Sequence, residues 1–140
     1  MFGFIVQRPW LGHGYGGFWS GWEGPAGQIW VMLPSYQWYP GHGHNGLLDL
    51  WADLGVLGVI IFAVGYIKVL KKSLIRIVSE QDFIASIWPA LYLIFVLVYS
   101  STETIILVRN NIFWVLYVAT TMLILVEEPP TTSPAQLPNA

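Results

Sequence analysis

Three long apolar blocks, over residues 46–67, 83–101 and 110–126, constrain this chain more than anything else in it. A soluble domain sets its apolar residues on one stripe of each helix and keeps the other face polar. Blocks of this kind leave too little polar surface for that. The composition agrees, since 55% of residues are hydrophobic and only 10% charged, outside ordinary soluble usage. A helix rises about 1.5 Å per residue and the hydrocarbon core is about 30 Å thick, so a crossing needs about 20 residues. The second block meets this without a charge. The first carries Asp49 and Asp53, and reaches sufficient length only by including Lys68, Val69 and Leu70 with the lysine snorkelling to the interface. The third is short and needs Asn110 and Asn111 near the headgroups. The fold class expected is an all-α membrane protein with three transmembrane helices, over about 46–70, 83–101 and 110–126. A Gly/Trp-rich extracytoplasmic loop with the end of a preceding helix occupies residues 1–45, and a tail follows at 127–140.

Orientation follows from residues 68–82, which hold Lys68, Lys71, Lys72 and Arg76, most of the positive charge in the chain. Such a connector faces the cytoplasm. The loop over 1–45 and the short turn over 101–111 then lie outside, and the tail lies inside. Pro129, Pro130, Pro134 and Pro138 stop the third helix from continuing, and the polar tail is read as disordered. Pro89 is expected only to kink the second span. A net charge of −2 offers no basic face for nucleic acid. The absence of cysteine removes disulfide, thiolate and sulfur-ligated metal chemistry.

The N-terminal segment is neither a flexible linker nor a signal peptide, because tryptophan and glycine dominate it without a basic start or an apolar run. Trp19, Trp22, Trp30 and Trp38 suit a loop at the membrane interface. The run Gly12-His13-Gly14-Tyr15-Gly16-Gly17 permits either an anion-binding nest of amides or a tight re-entrant turn without a ligand.

Two further arrangements carry chemistry. His42-Gly43-His44-Asn45 sits directly before the first span, where an imidazole, with a reference pKa of about 6.5, can take a proton at the membrane surface. The same histidines could instead hydrogen-bond loop carbonyls. His42, His44 and His13 suggest a metal, but no neighbouring carboxylate or cysteine completes a tetrahedral set, so no metal is expected. Beyond His44, Asn45, Asp49 and Asp53 recur every fourth residue and form a polar stripe that must face a cavity or protein. Gly55 and Gly58 lie on one helix face and allow close approach of a neighbour.

The pattern His44-Asn45, nine residues, Gly55-x-x-Gly58 resembles the histidine signature of the O-antigen ligase and polymerase superfamily. The runs Arg8-Pro9-Trp10-Leu11-Gly12-His13-Gly14-Tyr15, Phe18-Trp19 and His44-Asn45-Gly46-Leu47-Leu48-Asp49-Leu50-Trp51 look especially like its exopolysaccharide-production polymerase branch. Thr102-Glu103 and Asn111-Ile112-Phe113-Trp114-Val115-Leu116 do so as well. The likeness covers residues 5–126. Family members are much longer, so the chain is expected to be a C-terminal part that needs the missing helices of the family fold, and to associate or be unstable alone.

The resemblance implies a multi-pass protein of the bacterial inner membrane and a glycosyl transfer outside the cytoplasm that needs neither metal nor cofactor. The donor is an undecaprenyl-diphosphate-linked glycan, the acceptor a saccharide hydroxyl, and the outcome inversion. His44 is the expected catalytic base. Arg8 or Arg109 binds the diphosphate, with Arg8 preferred because it adjoins the motif's Pro9 and Gly12. Arg109 otherwise pairs with Glu103 or marks the interface. Asn45 and Asp49 orient the base or the acceptor, with His42 and His13 as lesser candidates. Polymerase and ligase share this chemistry and differ in acceptor. A catalytically inactive remnant or a nonenzymatic membrane subunit is the alternative class.

Overall fold

The computed structural model describes residues 1–32, 39–80 and 82–126. Every regular element among them is helical: α1 (Phe2–Ile5), a 3-10 turn (Gly21–Glu23), α2 (Pro25–Val31), α3 (Gly46–Ser79), α4 (Phe83–Tyr99) and α5 (Ile112–Val126). Trp38 and the 127–140 tail lie outside the described residues.

The three long helices fill the three apolar blocks and pack against one another. Each begins at a side-chain cap, which supplies an acceptor to amides that the first turn leaves without one. Asn45 accepts from Leu48 N at 3.0 Å, Asp82 from Ala85 N at 3.1 Å, and Asn111 from Phe113 N at 2.9 Å. Asn111 is therefore a helix cap, and α5 begins after it. The core between the helices is built from Leu50, Tyr66, Val69, Leu93, Val96 and Ile124. Three buried hydroxyls among these helices are satisfied by backbone: Tyr66 donates to Leu93 O at 2.8 Å, and Ser73 and Ser100 donate to carbonyls four residues earlier. Pro89 is accommodated within α4.

α3 is long and apolar enough to cross a membrane, whereas α4 and α5 have 17 and 15 residues. The helix runs well past residue 70, so the 68–82 connector is mostly a helical extension. Arg76 and Glu80, one turn apart and 2.7 Å from each other, brace its last turn. At its opposite end, Gly46 N donates to Ser100 O, beside the C-terminus of α4. Lys72 Nζ donates to Leu125 O near the C-terminus of α5. The Lys/Arg group and the His42–Asn45 segment thus occupy opposite ends of the helix.

α3 is also interrupted. Gly55 has φ 69° and ψ −173°, a conformation essentially reserved for glycine. The groups that this break frees are paired with the loop: Val56 N donates to Pro9 O and Leu57 N to Trp10 O, while His13 N and Gly14 N donate to Ala52 O and Asp53 O. A methyl group at Gly55 would overlap the Trp10 carbonyl. The close neighbour that Gly55 admits is therefore the Pro9–Gly14 loop and not another helix.

The N-terminal segment has its own small core of Ile5, Phe18, Ala26, Trp30 and, from α3, Ala52. Trp30 is buried there and donates its indole N–H to Pro40 O, so it serves the segment's interior and not an interface. Trp22 is largely exposed and rests on Trp30 and Tyr39.

Candidate functional site

The polar stripe of α3 organises the site. Asp53 accepts from Gly16 N at 2.9 Å and Phe18 N at 3.2 Å. The glycine-rich run is therefore an amide nest whose anion is the chain's own carboxylate. One turn earlier, Asp49 is only 4% exposed and gathers three donors. Trp19 Nε1 reaches it at 3.0 Å, Gly43 N at 2.8 Å, and the Thr104 hydroxyl also donates to it. These donors come from the N-terminal segment, the histidine turn and the α4–α5 loop, so one carboxylate ties three parts of the chain together. Glycine at 43 suits that approach, because a Cβ would lie 2.7 Å from the Asp49 carboxylate and push it aside.

His44 lies between two such locks. Gly43 is bound to Asp49 on one side. On the other, Asn45 caps α3 and also donates to Ser101 O at 3.2 Å. Both polar ends of Asn45 are thus engaged within the protein. His44 is held at φ 53°, a left-handed conformation uncommon for a residue with a Cβ. Its ring is half exposed, with Nδ1 3.4 Å from Glu103 Oε2. His42 packs edge-on against it, with ring centroids 4.3 Å apart. Glu103 is the residue that sequence reasoning missed in this role. The sequence suggests it only as a partner for Arg109, which is exposed and makes no ion pair among the described residues.

Beside this turn opens a cavity of about 210 Å³ lined by Tyr15, Trp19, His42, Asp49, Asp53 and Thr104, with Leu107 and Val108 from the α4–α5 loop. Its floor is the Asp49 and Asp53 stripe. Arg8 lies elsewhere, in a second, more polar recess with Gln7, His13, Ser20, Glu23 and Gln28, which shares no lining residue with the first. His13 is structural, with Nε2 3.2 Å from Phe4 O and its ring edge-on to Phe18. The site thus brings together His42, His44, Asn45, Asp49 and Glu103, and leaves Arg8 apart.

A half-exposed imidazole with a carboxylate near Nδ1 and a cavity alongside that His42 and Thr104 help to line can accept a proton at Nε2. The chain matches no protein-family model, no curated protein and no solved structure.

Proposed function

We propose that this chain belongs to a membrane glycosyltransferase of the O-antigen ligase and polymerase type, with His44 as its catalytic base. The observation that carries the reading is the His44–Glu103 pair beside the cavity, at the end of α3 opposite the Lys/Arg group. The Glu103 carboxylate, 3.4 Å from Nδ1, favours the tautomer that keeps its proton on Nδ1 and leaves the Nε2 lone pair for the acceptor. The acceptor hydroxyl loses its proton to Nε2 as its oxygen bonds to the anomeric carbon. The bond from that carbon to the diphosphate oxygen breaks on the opposite face, and the lipid diphosphate departs with the electron pair. Inversion follows from attack opposite the leaving group.

The membrane setting has its own support. Aliphatic side chains face outward on all three long helices, including Ile61, Ile84, Val98 and Leu125. Burying each such side chain is worth about 1.5–3 kcal/mol, so these faces suit lipid and the further helices of a larger bundle. In the bacterial inner membrane, the Lys/Arg end of α3 faces the cytoplasm by the positive-inside rule. His44 then faces outward, where a flipped undecaprenyl-diphosphate glycan presents its head group.

Two features favour Arg109 over Arg8 for the diphosphate. Arg109 shares the α4–α5 loop with Glu103 and directly follows Val108 at the cavity, whereas the Arg8 recess is separate. The test is His44→Ala in the complete protein, with cell-surface polysaccharide measured at matched protein level. Loss of high-molecular-weight glycan is expected; unchanged amount and chain length would refute the assignment.

A further inference from the structure

We infer that His42, His44 and Glu103 form a binding site for a divalent metal of the zinc class. The sequence hides this set, because its carboxylate lies far along the chain from the two histidines and is delivered by the α4–α5 loop. One ligating atom from each residue lies within 4.8 Å of the others.

The pair distance is the more telling number. Charge-assisted N–H···O bonds run to about 2.7–2.9 Å, and His44 Nδ1 stands 3.4 Å from Glu103 Oε2. Two donors at about 2.0–2.1 Å from one tetrahedral ion are about 3.3–3.4 Å apart. The His44–Glu103 pair has the spacing of two ligands of one ion, while the set as a whole spans up to 4.8 Å, so the His42 ring closes by a rotamer adjustment when an ion binds. A second observation points the same way: His42 Nδ1 is buried and has no hydrogen-bond partner among the described residues. Buried polar atoms are normally paired, and an ion beside the ring supplies a partner.

The backbone presets this arrangement. Gly43 is fixed to Asp49, and Asn45 to both Leu48 N and Ser101 O, so the two rings meet before any ion arrives. Two imidazoles and one carboxylate select a borderline metal such as zinc, whereas calcium and magnesium take oxygen ligands. Three protein ligands leave a fourth position open, and the half-exposed His44 gives the ion a path from solvent. Binding stands on these three side chains alone. Its consequence, that the ion occupies the imidazole needed as base and so inhibits transfer, rests on the function proposed above.

The test uses the full chain in detergent, tag removed and stripped of metal, titrated with cobalt(II) followed by visible absorption and then with zinc chloride by calorimetry. The chain has no cysteine, so any ligand-field band comes from nitrogen and oxygen ligands. One ion per chain is expected, with affinity falling at least about 10–100-fold in His42→Ala and in the isosteric Glu103→Gln. His13→Ala, remote from the cluster, should bind as wild type. Circular dichroism of each variant separates ligand loss from misfolding. Absence of a tetrahedral cobalt band in the wild type, or unchanged affinity in both well-folded variants, would overturn the site. Neither readout involves glycosyl transfer, so that reading would stand or fall separately.

Discussion

Replacing Asp49 by alanine tests how the site is held together. Asp49 is buried and accepts from Trp19 Nε1, Gly43 N and the Thr104 hydroxyl. Each buried donor left without a partner costs about 1–3 kcal/mol, so three would cost about 3–9. Removing the carboxylate also ends the cost of desolvating it, and the adjoining cavity lets water reach some of the orphans. The net expectation is a loss at the lower end of that range, about 3–5 kcal/mol. Asparagine keeps the shape and one accepting oxygen, and Thr104 can turn to accept from its amide, so Asp49→Asn should lose about 1–3 kcal/mol. The assay is denaturant unfolding in mild detergent followed by far-UV circular dichroism. A double-mutant cycle with Thr104→Val should give a coupling of about 0.5–3 kcal/mol, as for residues in one network. An Asp49→Ala stability within about 1 kcal/mol of wild type, or zero coupling, would refute the claim that this carboxylate joins the three segments.

Gly55→Ala places a side chain in a backbone region that costs about 1–3 kcal/mol and against the Trp10 carbonyl. The Pro9–Gly14 loop should leave the helix break, seen as faster hydrogen exchange at the Val56 and Leu57 amides, and unchanged protection would count against that. Arg109→Lys should reduce polysaccharide more than Arg8→Lys, because Arg109 follows Val108 of the cavity lining whereas Arg8 lines a separate recess, and lysine cannot replace a guanidinium fork. The opposite order would return the diphosphate to the Arg8 recess.

Much of the architecture was readable from composition. Apolar blocks of 15 residues and more became α3, α4 and α5, because runs of that length exceed an ordinary strand and suit a helix. The stripe of Asn45, Asp49 and Asp53 was readable from its four-residue spacing, and Asp49 and Asp53 do line a cavity. Three features were hidden, each for a tertiary reason. The Gly55 break depends on carbonyls of Pro9 and Trp10, and a Gly-x-x-Gly in an apolar run has the same local pattern as a packing face. The carboxylate beside His44 comes from Glu103, brought near only when the α4–α5 loop folds back to the start of α3. The occupant of the glycine nest is legible in principle, since an amide nest and an acidic stripe in one short chain are complementary.

The side of the membrane on which His44 stands is the most direct test of the functional reading, and the lack of cysteine makes it clean. Gly41→Cys, next to the histidine turn, and Val78→Cys, on the exposed end of α3, each introduce one thiol. With a membrane-impermeant maleimide on spheroplasts, residue 41 should be labelled at once and residue 78 only after permeabilisation. Labelling of 78 but not 41 in sealed spheroplasts would put the imidazole on the cytoplasmic side, away from the lipid-linked sugar it is proposed to act on.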